Sequence, residues 1–286
     1  MNSSTGFVKV PGGKIWYQKI GAPKGTPLVV LHGGPGFPHY PLLPLKALSS
    51  DRQVIFYDQL GCGKSDRPKN KTLWKKERFL KELQILVNDL KLKDHYILGQ
   101  SWGSMLAAEY ALTSPKGLKK IVLSGPFLST AKWIQDANKL KSKLPKRILR
   151  VLEKNEKAGT TNSKEYQKAE KEYNHRHLCR INPLPKLMVK CRKEGNLDIY
   201  NTMWGPSEFH CTGNLKTADL TKKLHEIKIP VLLTCGKFDE ATPETTKFYK
   251  TLLPNAQMHV FNKSSHTPHL EETDLYMSTV RKFLNS

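Results

Sequence analysis

The sequence predicts an α/β fold: a mostly parallel sheet flanked by helices, with a helical cap inserted into it. Three observations carry that reading. Short apolar, β-branched runs recur along the chain, at residues 14–20, 27–31, 52–57, 95–98, 120–124, 229–235 and 257–261. Helical patterns lie between several of them, and strands that alternate with helices form a parallel sheet covered on both faces. One long stretch, residues 128–225, contains no buried strand at all.

Each element has its own signal. Residues 14–20 mix apolar and polar residues and read as an amphipathic strand, whereas residues 27–31 are continuously apolar and read as a buried one. Residues 76–90 place Phe79, Leu80, Leu83, Leu86, Val87 and Leu90 on one helical face. Residues 105–112 and 275–284 are further helices. Residues 128–225 read as charged helical segments broken by Pro145, Gly159, Pro183, Pro185 and Gly195. A block of this kind would close over the C-terminal ends of the strands, where open α/β sheets place their sites. The expected organisation is a core of residues 1–127 and 226–286 with a cap of residues 128–225.

Composition bounds the function. The chain has 286 residues, enough for one large α/β domain with an insertion, and 38% apolar and 25% charged residues are ordinary for a globular protein. The net charge of +22 raises a nucleic-acid partner as one reading. The lysines are spread along the whole chain and no nucleic-acid module accompanies them, so the reading adopted is a solvated, lysine-rich surface and no nucleic-acid partner. The longest apolar runs, 27–31 and 229–235, are far too short to span a membrane. The first residues show no apolar run flanked by positive charge, and the five scattered cysteines have neither zinc nor redox spacing. The expectation is therefore a cytoplasmic protein with reduced thiols and with neither metal nor organic cofactor.

The chemistry is concentrated in four places. Gly99-Gln100-Ser101-Trp102-Gly103 is a G-x-S-x-G that follows the strand 96–98 and opens a helix. That setting makes Ser101 the candidate nucleophile of a strand–turn–helix elbow, flanked by glycines because the turn is sharp. A serine hydroxyl needs a base, and the base needs an orienting acid. In the α/β-hydrolase fold these follow the serine in the order acid, then histidine, each on a loop after a later strand. Asp239 after strand 229–235 and His266 after strand 257–261 satisfy the order. Asp58 precedes the serine and suits its own Gly-rich loop, Asp219 lies in the inserted block, and Glu240 is the third competitor. For the base, His269 reads as a second-layer or surface residue and His259 as a sheet residue. His32-Gly33-Gly34-Pro35-Gly36 follows the strand 28–31 as an HGG-type loop. Its Gly34 N–H, with the Trp102 N–H, is the expected oxyanion hole.

These pieces, with YDQLGCGKSDRP at 57–68, GPSEF at 205–209, GKFDEATP at 236–243 and SSH at 264–266, resemble the proline iminopeptidases, or prolyl aminopeptidases, including the tricorn-interacting aminopeptidases. The likeness covers nearly the whole chain, with residues 128–225 matching mainly in position and helical character. It implies a serine exopeptidase that releases one N-terminal residue, preferentially proline, from peptides with a free N-terminus. It also implies that acidic residues hold the substrate's amino group; by motif these are Glu208 and Glu240. Glu208 is an acid in a basic block near Trp204 and Phe209, where a buried carboxylate would need a cation; the alternative is a surface glutamate paired with a lysine of that block. Glu240 has the simpler alternative of facing solvent. Trp102, Phe127, Trp204 and Phe238 are open as either pocket walls or core. A carboxylesterase or small-molecule amidase on the same three residues is the alternative function.

Overall fold

The computed structural model describes residues 2–286. One eight-stranded sheet runs through it, composed of β1 (Ser3–Val10), β2 (Gly13–Ile20), β3 (Leu28–Leu31), β4 (Val54–Tyr57), β5 (His95–Gln100), β6 (Leu118–Ser124), β7 (Val231–Gly236) and β8 (Ala256–Phe261). The spatial order is β1-β2-β4-β3-β5-β6-β7-β8. β1 and β2 form an antiparallel hairpin and β2 pairs antiparallel with β4; every later neighbour is parallel. Seven strands fall where the apolar runs predict them. β1 is the exception. Only Val8 and Val10 of its eight residues are buried, so its polar SSTG start carries no strand signal, and it is held as an edge strand by its partner.

β3 (LVVL) and β4 (VIFY) are buried at every residue, which a strand needs when helices cover both faces of its sheet. Successive side chains point to opposite faces. Val29, Leu31, Ile55 and Ile97 join one core with α1 (Lys76–Asp89) and α2 (Trp102–Leu112). Leu28, Val30, Phe56 and Leu98 join a second core, with the 3-10 segment Tyr40–Ser50 and the C-terminal helix Thr273–Asn285. α1 faces its core through Phe79, Leu83, Leu86 and Val87, at helical spacing.

Between β6 and β7 lie five α-helices: α3 (Thr130–Lys141), α4 (Lys146–Ala158), α5 (Lys164–His177), α6 (Lys186–Lys193) and α7 (Leu197–Met203). Their ends are written in the sequence. Pro145 and Pro185 stand at the N-caps of α4 and α6. Gly159 ends α4 in the left-handed region at φ +67°, which glycine adopts without steric cost. Ser163 and Asn196 cap α5 and α7 by accepting backbone N–H groups. Trp133, Leu152, Tyr166, Tyr173 and Met203 from these helices belong to the same buried cluster as the α2 face of the sheet.

Helix α2 begins at the tips of β3 and β5, and two glycines make the approach possible. A Cβ on Gly99 would stand 2.1 Å from Gly103 O, and one on Gly103 would stand 2.4 Å from Leu31 O. Both obstacles are backbone and cannot rotate away. Gly103→Ala is therefore expected to lower stability by about 1–3 kcal/mol or more, the usual range for overpacking. Urea unfolding checks this; a midpoint equal to that of the unaltered protein would contradict the close approach.

Candidate active site

The elbow forms where β5 ends. Ser101 has φ 56° and ψ −122°, a strained backbone for a residue with a Cβ. Neighbouring chain fixes it there: Ser101 N–H donates to Ser124 O at 2.9 Å, and Ser104 Oγ donates to Ser101 O at 2.6 Å. Ser101 opens onto a cavity of about 570 Å³, within the range of small-molecule sites, and shares its lining with His32, Gly33, Gly34, Glu208 and His266.

Asp239 and His266 are brought together from the ends of adjacent strands. The Asp239 carboxylate accepts from Gly236 N–H at 3.2 Å and Ala241 N–H at 2.8 Å, and its Oδ1 lies 2.7 Å from His266 Nδ1. The imidazole is almost wholly buried, and its Nε2 makes no hydrogen bond among the described residues. Gly125 leaves room for the ring, since a Cβ there would lie 2.5 Å from His266 Cε1. Trp133 packs edge-on against the imidazole at 5.6 Å. The Ser264–Ser265 loop ahead of it is held by Glu272 and Glu271. Burial works against the imidazolium, but the charge and hydrogen bond of Asp239, then Glu208 and Glu271, lift the pKa above the ordinary histidine value.

The competing residues have other work. Asp58 is buried and accepts from His39 N–H and Lys64 N–H, with His39 Nδ1 at 2.7 Å, so it does organise the loop it belongs to. Asp219 accepts from Thr221 N–H in a turn. His259 stacks on Phe261 within β8. His269 is fully buried, which corrects the surface option, and burial lowers its pKa to about 3, keeping it neutral. Glu240 does not face solvent either: it is 0% exposed, the Tyr173 hydroxyl is the neutral donor that acts on it, and no cation pairs with it among the described residues.

The HGG loop lies against the elbow, with the Gly33 Cβ position 3.2 Å from Ser101 Cβ. Gly34 has φ +114°, a conformation that favours glycine. Trp102 is the first residue of α2, so its N–H has no carbonyl four residues back to receive it. Sequence reasoning missed what joins the two parts. Gln59 Oε1 accepts from the Trp102 indole at 2.9 Å, while Gln59 Nε2 donates to His32 O at 3.2 Å. Gln59 N–H also donates to His32 Nε2 at 2.9 Å, which leaves the proton on Nδ1, beside Gly33 O at 3.0 Å. Burial takes the His32 pKa down to about 4, so the ring is a neutral brace.

Glu208 is set by aromatic donors. Tyr200 OH donates to its carboxylate at 2.7 Å, Trp133 Nε1 to its backbone carbonyl at 3.1 Å, and Trp204 Nε1 to Ser207 O at 2.8 Å. Burial raises the Glu208 pKa against the opposing effects of Tyr200, His266 and Arg192. It raises that of Glu240 much further, and Glu208 and Asp239 add to the rise by their charges. Glu170 on α5 is a third acid on the cavity wall that sequence reasoning missed. Burial, then Glu208, push its pKa up to about 7. Its neighbours Tyr166, Ala169 and Tyr173 are the buried face of α5, and that spacing was the available signal.

Of the four aromatics left open, Trp102 packs on Phe79 in the core. Phe127 and Trp204 form an edge-to-face trio with Trp133, at centroid distances of 5.3–6.1 Å, and Trp133 carries that trio to His266. Phe238 lies under the Arg180 guanidinium instead.

Gln59→Ala would leave the Trp102 indole N–H and the His32 carbonyl without partners in a buried place. Unsatisfied buried groups cost about 1–3 kcal/mol. The variant should unfold at correspondingly lower urea and hydrolyse a neutral aryl ester more slowly. Unchanged stability and rate would show that the brace is dispensable.

Residues 26–273 match the α/β-hydrolase fold family. A proline iminopeptidase of Heyndrickxia coagulans is 48% identical over 98% of this chain and 98% of its own. The solved structure of proline iminopeptidase from Mycobacterium smegmatis superposes with a TM-score of 0.91 at 33% identity, covering 99% of this chain and 98% of that one. The structure of VinJ superposes with a TM-score of 0.95 at 35% identity and the same coverage. With its elbow at the tip of β5, its acid and histidine after β7 and β8, and this full-length likeness, the chain belongs to the proline iminopeptidase family of α/β hydrolases.

Proposed function

We propose that the protein is a serine aminopeptidase that releases N-terminal proline from peptides with a free N-terminus. Ser101 attacks the carbonyl of the first residue. His266, through Nε2, accepts the serine proton and passes it to the leaving amine. Asp239 fixes the tautomer and stabilises the imidazolium, and the Gly34 and Trp102 N–H groups bind the oxyanion. Water then hydrolyses the acyl-enzyme, with His266 again as base. Residues 128–225 act as the cap that closes this site, since Tyr200, Glu208 and Glu170 reach it from that segment. The five cysteines are all free thiols, which supports a reducing compartment, the cytoplasm. No helix among the described residues is long and apolar enough to cross a membrane.

One observation carries the choice of aminopeptidase over esterase. Glu208 acts on both His266 and Glu240, Glu240 is wholly buried with only the neutral Tyr173 hydroxyl as donor, and neither acid has an ion pair among the described residues. A neutral ester gives such acids nothing, whereas a prolyl ammonium supplies the missing charge. Anchoring the amine also fixes the register, so that only the first peptide bond reaches Ser101.

The test compares substrates and one variant. N-acetylated prolyl peptides should not be cleaved. Glu208→Gln should reduce kcat/KM on free-amine substrates about tenfold to a hundredfold, matching a charge-assisted hydrogen bond of about 1.5–3 kcal/mol. The same variant should hydrolyse a neutral aryl ester almost as fast as the parent. An equal loss on both substrates would make Glu208 structural, and rapid cleavage of acetylated peptides would return the esterase or amidase reading.

A further inference from the structure

Acids and cations both line the cavity. Glu208 and His266 stand there with Ser101. On the wall furnished by the helices between β6 and β7 stand two cations, Lys171 of α5 and Arg192 of α6. Both are exposed, and among the described residues neither makes a hydrogen bond or an ion pair. Other cations of the same helices are engaged: Lys141 with Glu156 at 2.9 Å, Arg176 with Glu172 at 2.8 Å, and Lys190 with Glu194 at 3.9 Å. Lys171 and Arg192 instead act at longer range, on Glu170, and Arg192 also on Glu208. Residues 128–225 hold 21 Lys and Arg against 10 Asp and Glu, so little nearby is left to neutralise them.

We propose that Lys171 and Arg192 bind a substrate carboxylate that enters this cavity beyond the scissile bond. The proposal rests on the aminopeptidase reading. With the ammonium held by Glu208 and Glu240 and the first carbonyl at Ser101, the chain after the scissile bond has the rest of the cavity to enter, and Lys171 and Arg192 line it. In a dipeptide or tripeptide the terminal carboxylate then falls within the cavity, where a guanidinium can take it in bidentate fashion. A longer peptide carries its terminus out past the mouth. The cavity volume of about 570 Å³ suits a small ligand better than an extended polypeptide. An acidic side chain at the second position is the other source of the same group.

The experiment measures kcat/KM on Pro-Gly, Pro-Gly-amide, Pro-Asp-amide and Pro-Asn-amide, with prolyl arylamide as the reference for the parent protein. The parent should cleave Pro-Gly roughly three- to tenfold faster than its amide, the size of a partly exposed ion pair. That preference should shrink as salt rises. In the double variant Lys171→Gln/Arg192→Gln the ratio should fall to about one, with the unfolding midpoint unchanged because both side chains are exposed. A preference for Pro-Asp-amide over Pro-Asn-amide assigns a side-chain carboxylate to the same cations; its absence beside a Pro-Gly preference assigns the chain terminus. Equal cleavage of Pro-Gly and Pro-Gly-amide by the parent, with prolyl arylamide cleaved, overturns the carboxylate site alone. So does a double variant that slows every substrate equally, since the cations would then only balance Glu170. Failure of the parent on prolyl arylamide and Pro-Gly together overturns the aminopeptidase reading as well.

Discussion

Burying negative charge without an ion pair is the constraint on which this site depends. Asp239 and Glu240 are wholly buried and Glu208 is half-buried on the cavity wall beside His266, so carboxylates crowd one region. Desolvation alone would protonate some of them, and it raises the pKa values of Glu208, Glu240 and Glu170 together. The direct partners of these carboxylates are neutral donors rather than ion pairs. Tyr200 donates to Glu208, while the Trp133 and Trp204 indoles hold the backbone of the GPSEF segment. A neutral donor steadies a carboxylate and leaves it free to take a cation from outside.

The scaffold follows from the same need for fixed positions. Ser101, Asp239 and His266 stand beyond the ends of parallel strands, where backbone hydrogen bonding supplies rigidity. Small residues stand where backbone or ring must approach closely, at Gly99 and Gly103 under the elbow and at Gly125 beside the imidazole. Gln59 then ties the HGG loop to Trp102, joining two segments distant in sequence. Shared burial of Leu152, Tyr166 and Tyr173 with the sheet makes the inserted helices part of one core.

Much of this was legible in the sequence because its signals are local. Continuous apolar runs such as LVVL and VIFY mark buried strands, and G-x-S-x-G between a strand and a helix marks an elbow. The order of Asp239 and His266 along the chain, each after a strand, singled them out before any distance was known. What could not be read depends on contacts between distant segments. β1 is a strand because β2 is beside it, not because its own polar residues ask to be. The brace at Gln59 requires His32 and Trp102 to meet, and no spacing announces that. The burial of Glu240 and His269 is set by loops from elsewhere, so each looked as suited to solvent as to the interior. Glu170 was hidden among the many charges of α5, where only the Tyr166–Tyr173 stripe hinted at an inward face.

The central claim is that the acids beside His266 wait for a substrate ammonium, and proton linkage tests it most directly. Binding of prolinamide to Ser101→Ala can be followed by calorimetry near pH 6.5 in buffers of different ionisation enthalpy. Carboxyl groups whose pKa is raised hold protons before binding and lose them when a cation arrives beside them. The account therefore predicts net proton release, seen as a binding enthalpy that changes with buffer, and its reduction in a Ser101→Ala/Glu208→Gln double variant. Tight binding with no proton release, unchanged by Glu208→Gln, would contradict it.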